Sequence, residues 1–195
     1  MTKNETIKGS IIKLKEELST SYNKFDRDEH VFGGVCVKNE FFEGRNFSAD
    51  DWEDTFTDQG NDGGIDWITS KPEEEDCLKV IQTKYTQTQP SYSDIKEHAT
   101  KLITGHSRLL KNDPTLNAKI RNIFDTQVNT ISENHKIEYH LFYSCQISSQ
   151  IQKQANEIIK SNHPAKKVII HTSSDIEEKI FMNMDESPHV KEDKI

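Results

Sequence analysis

The sequence predicts an α/β protein with a central mixed sheet of four or five strands and helices on its faces. Three observations lead there. Helix-period and strand-period apolar patterns alternate over most of the chain. Two late apolar runs, 137–145 and 167–171, are separated by an amphipathic stretch at 149–160, which allows two parallel strands joined by a helical crossover. A glycine turn at 60–64 sits between strand-like runs that can return along one another as a hairpin.

In chain order, Ile7, Ile11, Leu14 and Leu18 recur at helical spacing and predict an amphipathic opening helix to about Ser21. A second helix is expected from Asp28 through Phe32, Cys36 and Asn39 towards Phe41, with Gly33-Gly34 inside it suggesting close packing against a sheet. From 44 to 85 the alternation of Trp52, Asp54 and Phe56, the turn 60–64 and the run 65–68 predict short strands, and 78–85 predicts a strong returning strand. Pro72 and the acids of 70–76 mark an exposed connection between them. Ile95, Ala99, Leu102, Ile103, His106, Leu109 and Leu110 predict a long helix that stops at Asn112-Asp113-Pro114. Pro114 is then expected to open a helix burying Leu116, Ile120, Ile123, Phe124 and Val128. After the strand, helix and strand named above, a last helix is expected over 174–184, with Ser174 and Glu177 at capping-box spacing. This divides the chain into an N-terminal amphipathic helix (1–25) packing on the core, a main domain (26–184) and a flexible tail (185–195).

The 195 residues are 32% hydrophobic and 30% charged, enough for one ordinary globular domain without staples. Cys36, Cys77 and Cys145 are odd in number and widely spaced, so neither a disulfide framework nor a zinc knuckle is indicated, and Cys36 and Cys145 read as core residues. With no apolar leader and no run long enough for a membrane span, a cytoplasmic protein with no membrane partner is expected. Charge is uneven. Between Asp26 and Asp76 stand 16 acids and 4 bases, a local −12 against a total of −8, so the remainder carries +4. Such a segment is commonly a solvated face; the sharper reading is a cation site beside a surface that tolerates polyanions.

The residues that rise above this background are Asp62-Gly63-Gly64-Ile65-Asp66 and Ile81-Gln82-Thr83-Lys84-Tyr85. Strand alternation puts Gln82 and Lys84 on one face of an otherwise apolar strand. A register that sets Asp66 opposite them collects a carboxylate, an amide oxygen and an ammonium. Taken singly, each has a bland reading: an Asp in a glycine turn is usually a turn residue, and a strand Lys usually faces solvent. The turn also resembles a calcium loop through Asp58, Asp62, Gly63, Ile65 and Asp66, but Gly60 and Thr69 fall where ligands are needed and helices do not flank it. Walker, dinucleotide, zincin and serine-hydrolase motifs are missing from the sequence.

Asp66 followed by Gln82-x-Lys84 resembles the PD-(D/E)XK, or restriction endonuclease-like, nuclease superfamily in its Mrr-like branch. The run from Glu29-His30-Val31-Phe32 through Phe41-Phe42, Thr57-Asp58, the DGGID segment and IQTKY is similar to the N-terminal domain of abortive-infection phage-resistance (AIPR) proteins. The resemblance implies a restriction endonuclease-like core over roughly 26–183 and hydrolysis of DNA phosphodiesters in antiphage defence, with RNA a further candidate substrate. It implies Mg²⁺, replaceable by Mn²⁺, on Asp66, Gln82 and the backbone carbonyl of Thr83, with Lys84 holding the attacking water or the developing phosphate charge. The neutral Gln82 calls for a further acid, with Glu29 and Asp62 as candidates. Two copies would suit cutting of both strands, so a homodimer is compatible. The rival reading keeps the fold without catalysis, as a nucleic-acid- or protein-binding part of a larger defence system.

Other positions have plainer readings. Lys79, Lys96, Lys101, Arg108, Lys111, Lys119 and Arg121 are candidate phosphate contacts that more simply read as solvated helix surface, and Trp52, Trp67 and Tyr85 are candidate base-stacking residues that more simply read as packing. His98, His106 and His140 read as satisfied histidines at element edges.

Overall fold

The computed structural model of the chain describes residues 3–19, 27–43, 47–57, 60–72 and 75–185. Its centre is a four-stranded sheet in the order β1 (Trp67–Thr69), β2 (Cys77–Lys84), β3 (Lys136–Tyr143), β4 (Lys167–His171), so the α/β class and the mixed sheet are observed. β1 runs antiparallel to β2, and the other pairs are parallel. Parallel neighbours need long crossovers, and the chain supplies α4 (Tyr92–Leu110) and α5 (Ala118–Val128) between β2 and β3, then α6 (Ser149–Asn162) between β3 and β4. The opposite face carries α1 (Lys3–Ser19), α2 (Asp28–Phe41), α3 (Ala49–Thr55) and α7 (Ser173–Asp185).

Strand alternation divides the interior into two cores. Leu78, Val80, Tyr139, Leu141 and Tyr143 point to α4, α5 and α6, while Ile81 and Phe142 join Trp67 and the residues of α1, α2 and α7. α1 buries Ile7, Ile11, Leu14 and Leu18 in the second core. Gly33 and Gly34 let α2 approach: a Cβ on Gly33 would lie 2.4 Å from Trp67 Nε1, and one on Gly34 would lie 2.2 Å from Trp52 Cζ3. Both tryptophans are thus packing residues.

Several sequence expectations change. Residues 49–55 are helical, not a strand: Ser48 and Asp51 form a reciprocal capping box, and Trp52 and Phe56, four apart, share a helix face as readily as a strand face. Phe56 keeps one isolated bridge to Trp67. α5 opens at Asn117, whose side chain accepts from Ile120 N, while Pro114 lies in the preceding turn because Asp113 binds Arg108 and Thr115 there. α7 is capped by Thr172, whose N and Oγ1 both donate to Asp175 Oδ2, in place of Ser174 and Glu177. His106 and His140 are core residues, 1% and 3% exposed, each bonded to another buried ring. Lys79 is also buried, 1% exposed, with Nζ 2.6 Å from Glu75, so it is no phosphate contact. The boundary at 25–26, Asp58 and the tail beyond Asp185 lie outside the described residues.

Candidate functional site

A cleft of about 790 Å³ opens at the C-terminal end of β2, lined among others by Glu29, Asp66, Thr83, Lys84, His98 and Tyr143. This is the end at which parallel strands hand over to their helices and where open α/β sheets most often bind ligands. Asp66 immediately precedes β1. Trp67 pairs with Ile81, and just before it the Asp66 N–H donates to Ile81 O at 2.9 Å while the Asp66 C=O accepts from Thr57 N at 2.9 Å. The carboxylate continues the ladder past the end of β1: Oδ2 accepts from Thr83 N at 2.7 Å and Thr83 Oγ1 at 3.2 Å. These bonds fix its direction.

In a strand the N–H and C=O of one residue point to the same side. Ile81 O and Thr83 N both face the β1 side, whereas Lys84 O faces β3 and accepts from Ser144 N at 3.1 Å. The Thr83 carbonyl is therefore turned towards the side from which Asp66 approaches. Thr83 Oγ1 lies on the α2 face, near the position a Gly33 Cβ would take, while Gln82 and Lys84 face α4.

Gln82 is not among the residues lining the cleft and is only 4% exposed. Its Nε2 donates to Gly64 O at 2.9 Å, which assigns the amide: nitrogen to the glycine turn, oxygen away from it. Oε1 is buried and, among the described residues, has no hydrogen-bond partner. An unsatisfied buried carbonyl oxygen costs roughly 1–3 kcal/mol, so such an atom calls for a ligand or an ordered water. The glycine turn makes this geometry. Gly63 and Gly64 adopt φ of 71° and 80°, which only glycine takes readily, and Gly63 O sits where any Cβ on Gly105 of α4 would collide at 2.4 Å.

The two candidate extra acids separate. Glu29, exposed at the start of α2, lines the cleft with Asp66. Asp62 is a turn residue: its Oδ1 accepts from Gly64 N at 2.8 Å. The Asp66 carboxylate, the Gln82 amide oxygen and the Thr83 carbonyl are each hard oxygen donors of the kind a divalent cation takes, and Gln82 Oε1 has no hydrogen-bond partner among the described residues. No group of three or more His, Cys, Asp or Glu that could hold a metal occurs among the described residues, so any cation here must draw on amide and carbonyl oxygens as well.

Sequence reading missed His98 and Tyr143. His98 Nδ1 is 2.8 Å from Tyr143 Oη, and Tyr143 is the register partner of Lys84 on β3. Burial, then the charges of Lys84 and Lys101, lower the His98 pKa against the opposing pull of Asp94 and Glu97. Burial also raises the Tyr143 hydroxyl well above its ordinary range. Among the other candidate phosphate contacts, Lys101, Arg108 and Lys119 are paired with Glu97, Asp113 and Glu53. Among the described residues no helix is long and apolar enough to cross a membrane. No family model, curated protein or solved structure matches the chain.

Proposed function

We propose that the chain is a metal-dependent nuclease that hydrolyses DNA phosphodiesters in this cleft, with the residue plan of the PD-(D/E)XK superfamily. One observation carries the reading: Asp66 and Lys84 line the same cleft, while the oxygen of Gln82, two residues before Lys84 on the same strand face, is held buried without a hydrogen-bond partner among the described residues. A Mg²⁺ or Mn²⁺ ion on Asp66, Gln82 Oε1 and the Thr83 carbonyl would supply a polarised phosphoryl oxygen and an acidified water.

The chain's own residues have separate tasks. Thr83 N and Oγ1 hold the Asp66 carboxylate in one direction, so its charge is placed before substrate arrives. The Gln82 to Gly64 bond does the same for the neutral oxygen donor. Lys84 brings a compact positive charge to the phosphate and stabilises the charge that grows there as water attacks in line. Glu29, which lines the cleft with Asp66, is the candidate for the additional negative charge that a neutral Gln82 leaves wanting.

The test is plasmid cleavage with Mg²⁺ or Mn²⁺, comparing the wild type with Asp66→Ala and Lys84→Ala. Loss of roughly 10²-fold or more in each variant is expected, the scale seen when a single charge-stabilising donor is removed. Unchanged rates in both would refute the assignment. DNA binding without cleavage by the wild type would favour a binding domain, and cleavage confined to single-stranded RNA would change the substrate while keeping the centre.

A further inference from the structure

We propose that His98 is a substrate-contacting residue of this cleft: held at Nδ1 by the Tyr143 hydroxyl, its imidazole presents Nε2–H to a non-bridging oxygen of the phosphodiester that Lys84 binds. The identity of that anion rests on the nuclease reading; the placement of the ring does not.

The plain alternative is that His98 merely clasps α4 to β3, and the fold contains such a clasp for comparison. His106 Nδ1 lies 2.8 Å from Tyr139 Oη, the same contact as His98 with Tyr143. The two pairs are equivalent positions along one helix–strand contact. Eight helical residues rise about 12 Å and four strand residues about 13 Å, so His98 and His106 stay in step with Tyr143 and Tyr139. They differ in their surroundings. His106 lies in the sealed interior, where its Nε2 is buried without a partner among the described residues. His98 lines the cleft, and beside its tyrosine stands Lys84.

A phosphate oxygen offers only lone pairs, so the nitrogen that meets it must carry the hydrogen. Tyr143 then donates its O–H to Nδ1, which fixes the Nε2–H tautomer. Burial and the Lys84 charge favour a neutral ring, and a neutral ring has one donor and one acceptor to divide in this way. No proton changes hands; the ring adds one directed hydrogen bond to the charge supplied by Lys84.

Two substitutions separate contact from clasp. His98→Asn keeps an acceptor near Nδ1 for Tyr143 and removes the second nitrogen, whereas His98→Gln places an amide N–H near Nε2. About tenfold lower kcat/KM is expected for His98→Asn with thermal stability close to wild type, and partial recovery for His98→Gln. Wild-type rates for His98→Asn would overturn the proposal. A second measurement needs no turnover: ¹⁵N NMR of the wild-type imidazole, without metal, during titration with a single-stranded thymidine oligonucleotide. The Nε2–H tautomer and a shift of the Nε2 resonance are expected. The opposite tautomer or an unmoved resonance would overturn the proposal, while a moved resonance in a chain that cleaves nothing would refute the nuclease reading and leave the contact standing.

Discussion

The two histidine–tyrosine pairs between α4 and β3 share their chemistry and differ in their surroundings. His106 and Tyr139 are sealed in the core, and burial drives the His106 pKa down to about 4 and the Tyr139 pKa up to about 12. His98 and Tyr143 sit at the mouth of the sheet, where the ring is half-buried and reaches the cleft that holds Asp66 and Lys84. On the sheet's other face, His171 is pushed down to about 3 by burial and by His140, whose Nδ1 is 2.9 Å from His171 Nε2. Glu138, at the far end of that string with Oε2 3.4 Å from His140 Nε2, is lowered to about 2. The most perturbed histidines therefore mark tight packing, and the candidate site is marked instead by charged side chains, Asp66 and Lys84, that line an open cleft.

The largest effect that this contrast predicts is on stability against pH. His106 and His171 have folded pKa values of about 4 and 3 against a reference of 6.5, so between those limits the unfolded chain binds more protons than the folded one. Stability is full above about pH 6.5 and falls as pH drops towards 4 and then 3, with about 1.4 kcal/mol for each unit of displacement. Urea denaturation at pH 7, 5.5 and 4.5 measures it, with a loss of several kcal/mol expected. A flat profile would contradict the burial of these rings. His171→Phe, which can stack on Phe142 as His171 does at 4.1 Å, should start less stable, because His140 Nδ1 loses its partner, and decline less in acid.

A smaller and more selective effect comes from deleting one hydroxyl from each pair. Tyr139→Phe strands His106 Nδ1 in the core and should cost roughly 1–3 kcal/mol without altering turnover. Tyr143→Phe leaves a half-solvated His98 and should cost about 1 kcal/mol or less, yet lower kcat/KM because the ring loses its tautomer lock. Chemical denaturation beside a cleavage assay reads both. Equal losses of turnover in the two variants would erase the distinction between clasp and contact.

How much of this was legible in the sequence follows from chain separation. Asp66, just before β1, is brought towards Gln82-x-Lys84 by the antiparallel pairing of β1 with β2, and strand periodicity alone puts Gln82 and Lys84 on one face, so that juxtaposition is readable. The direction of the Thr83 carbonyl and the stranded oxygen of Gln82 depend on where β1 stops and how the glycine turn folds back, which local pattern does not encode. His98 and Tyr143 are 45 residues apart on a helix and a strand joined through another helix, and neither carries a local signal. The helix at 49–55 is not separated from a strand by its apolar pattern, because Trp52 and Phe56 satisfy both periods; the Ser48–Asp51 capping box is the cue that separates them.

If the oxygens of Asp66, Gln82 and Thr83 form one cation site, Mn²⁺ titration followed by electron paramagnetic resonance reads it without substrate. One ion per chain is predicted for the wild type, with affinity at least about tenfold weaker in Asp66→Asn and in Gln82→Met, which removes the oxygen and keeps the bulk. Equal Mn²⁺ affinity in all three proteins would contradict the account.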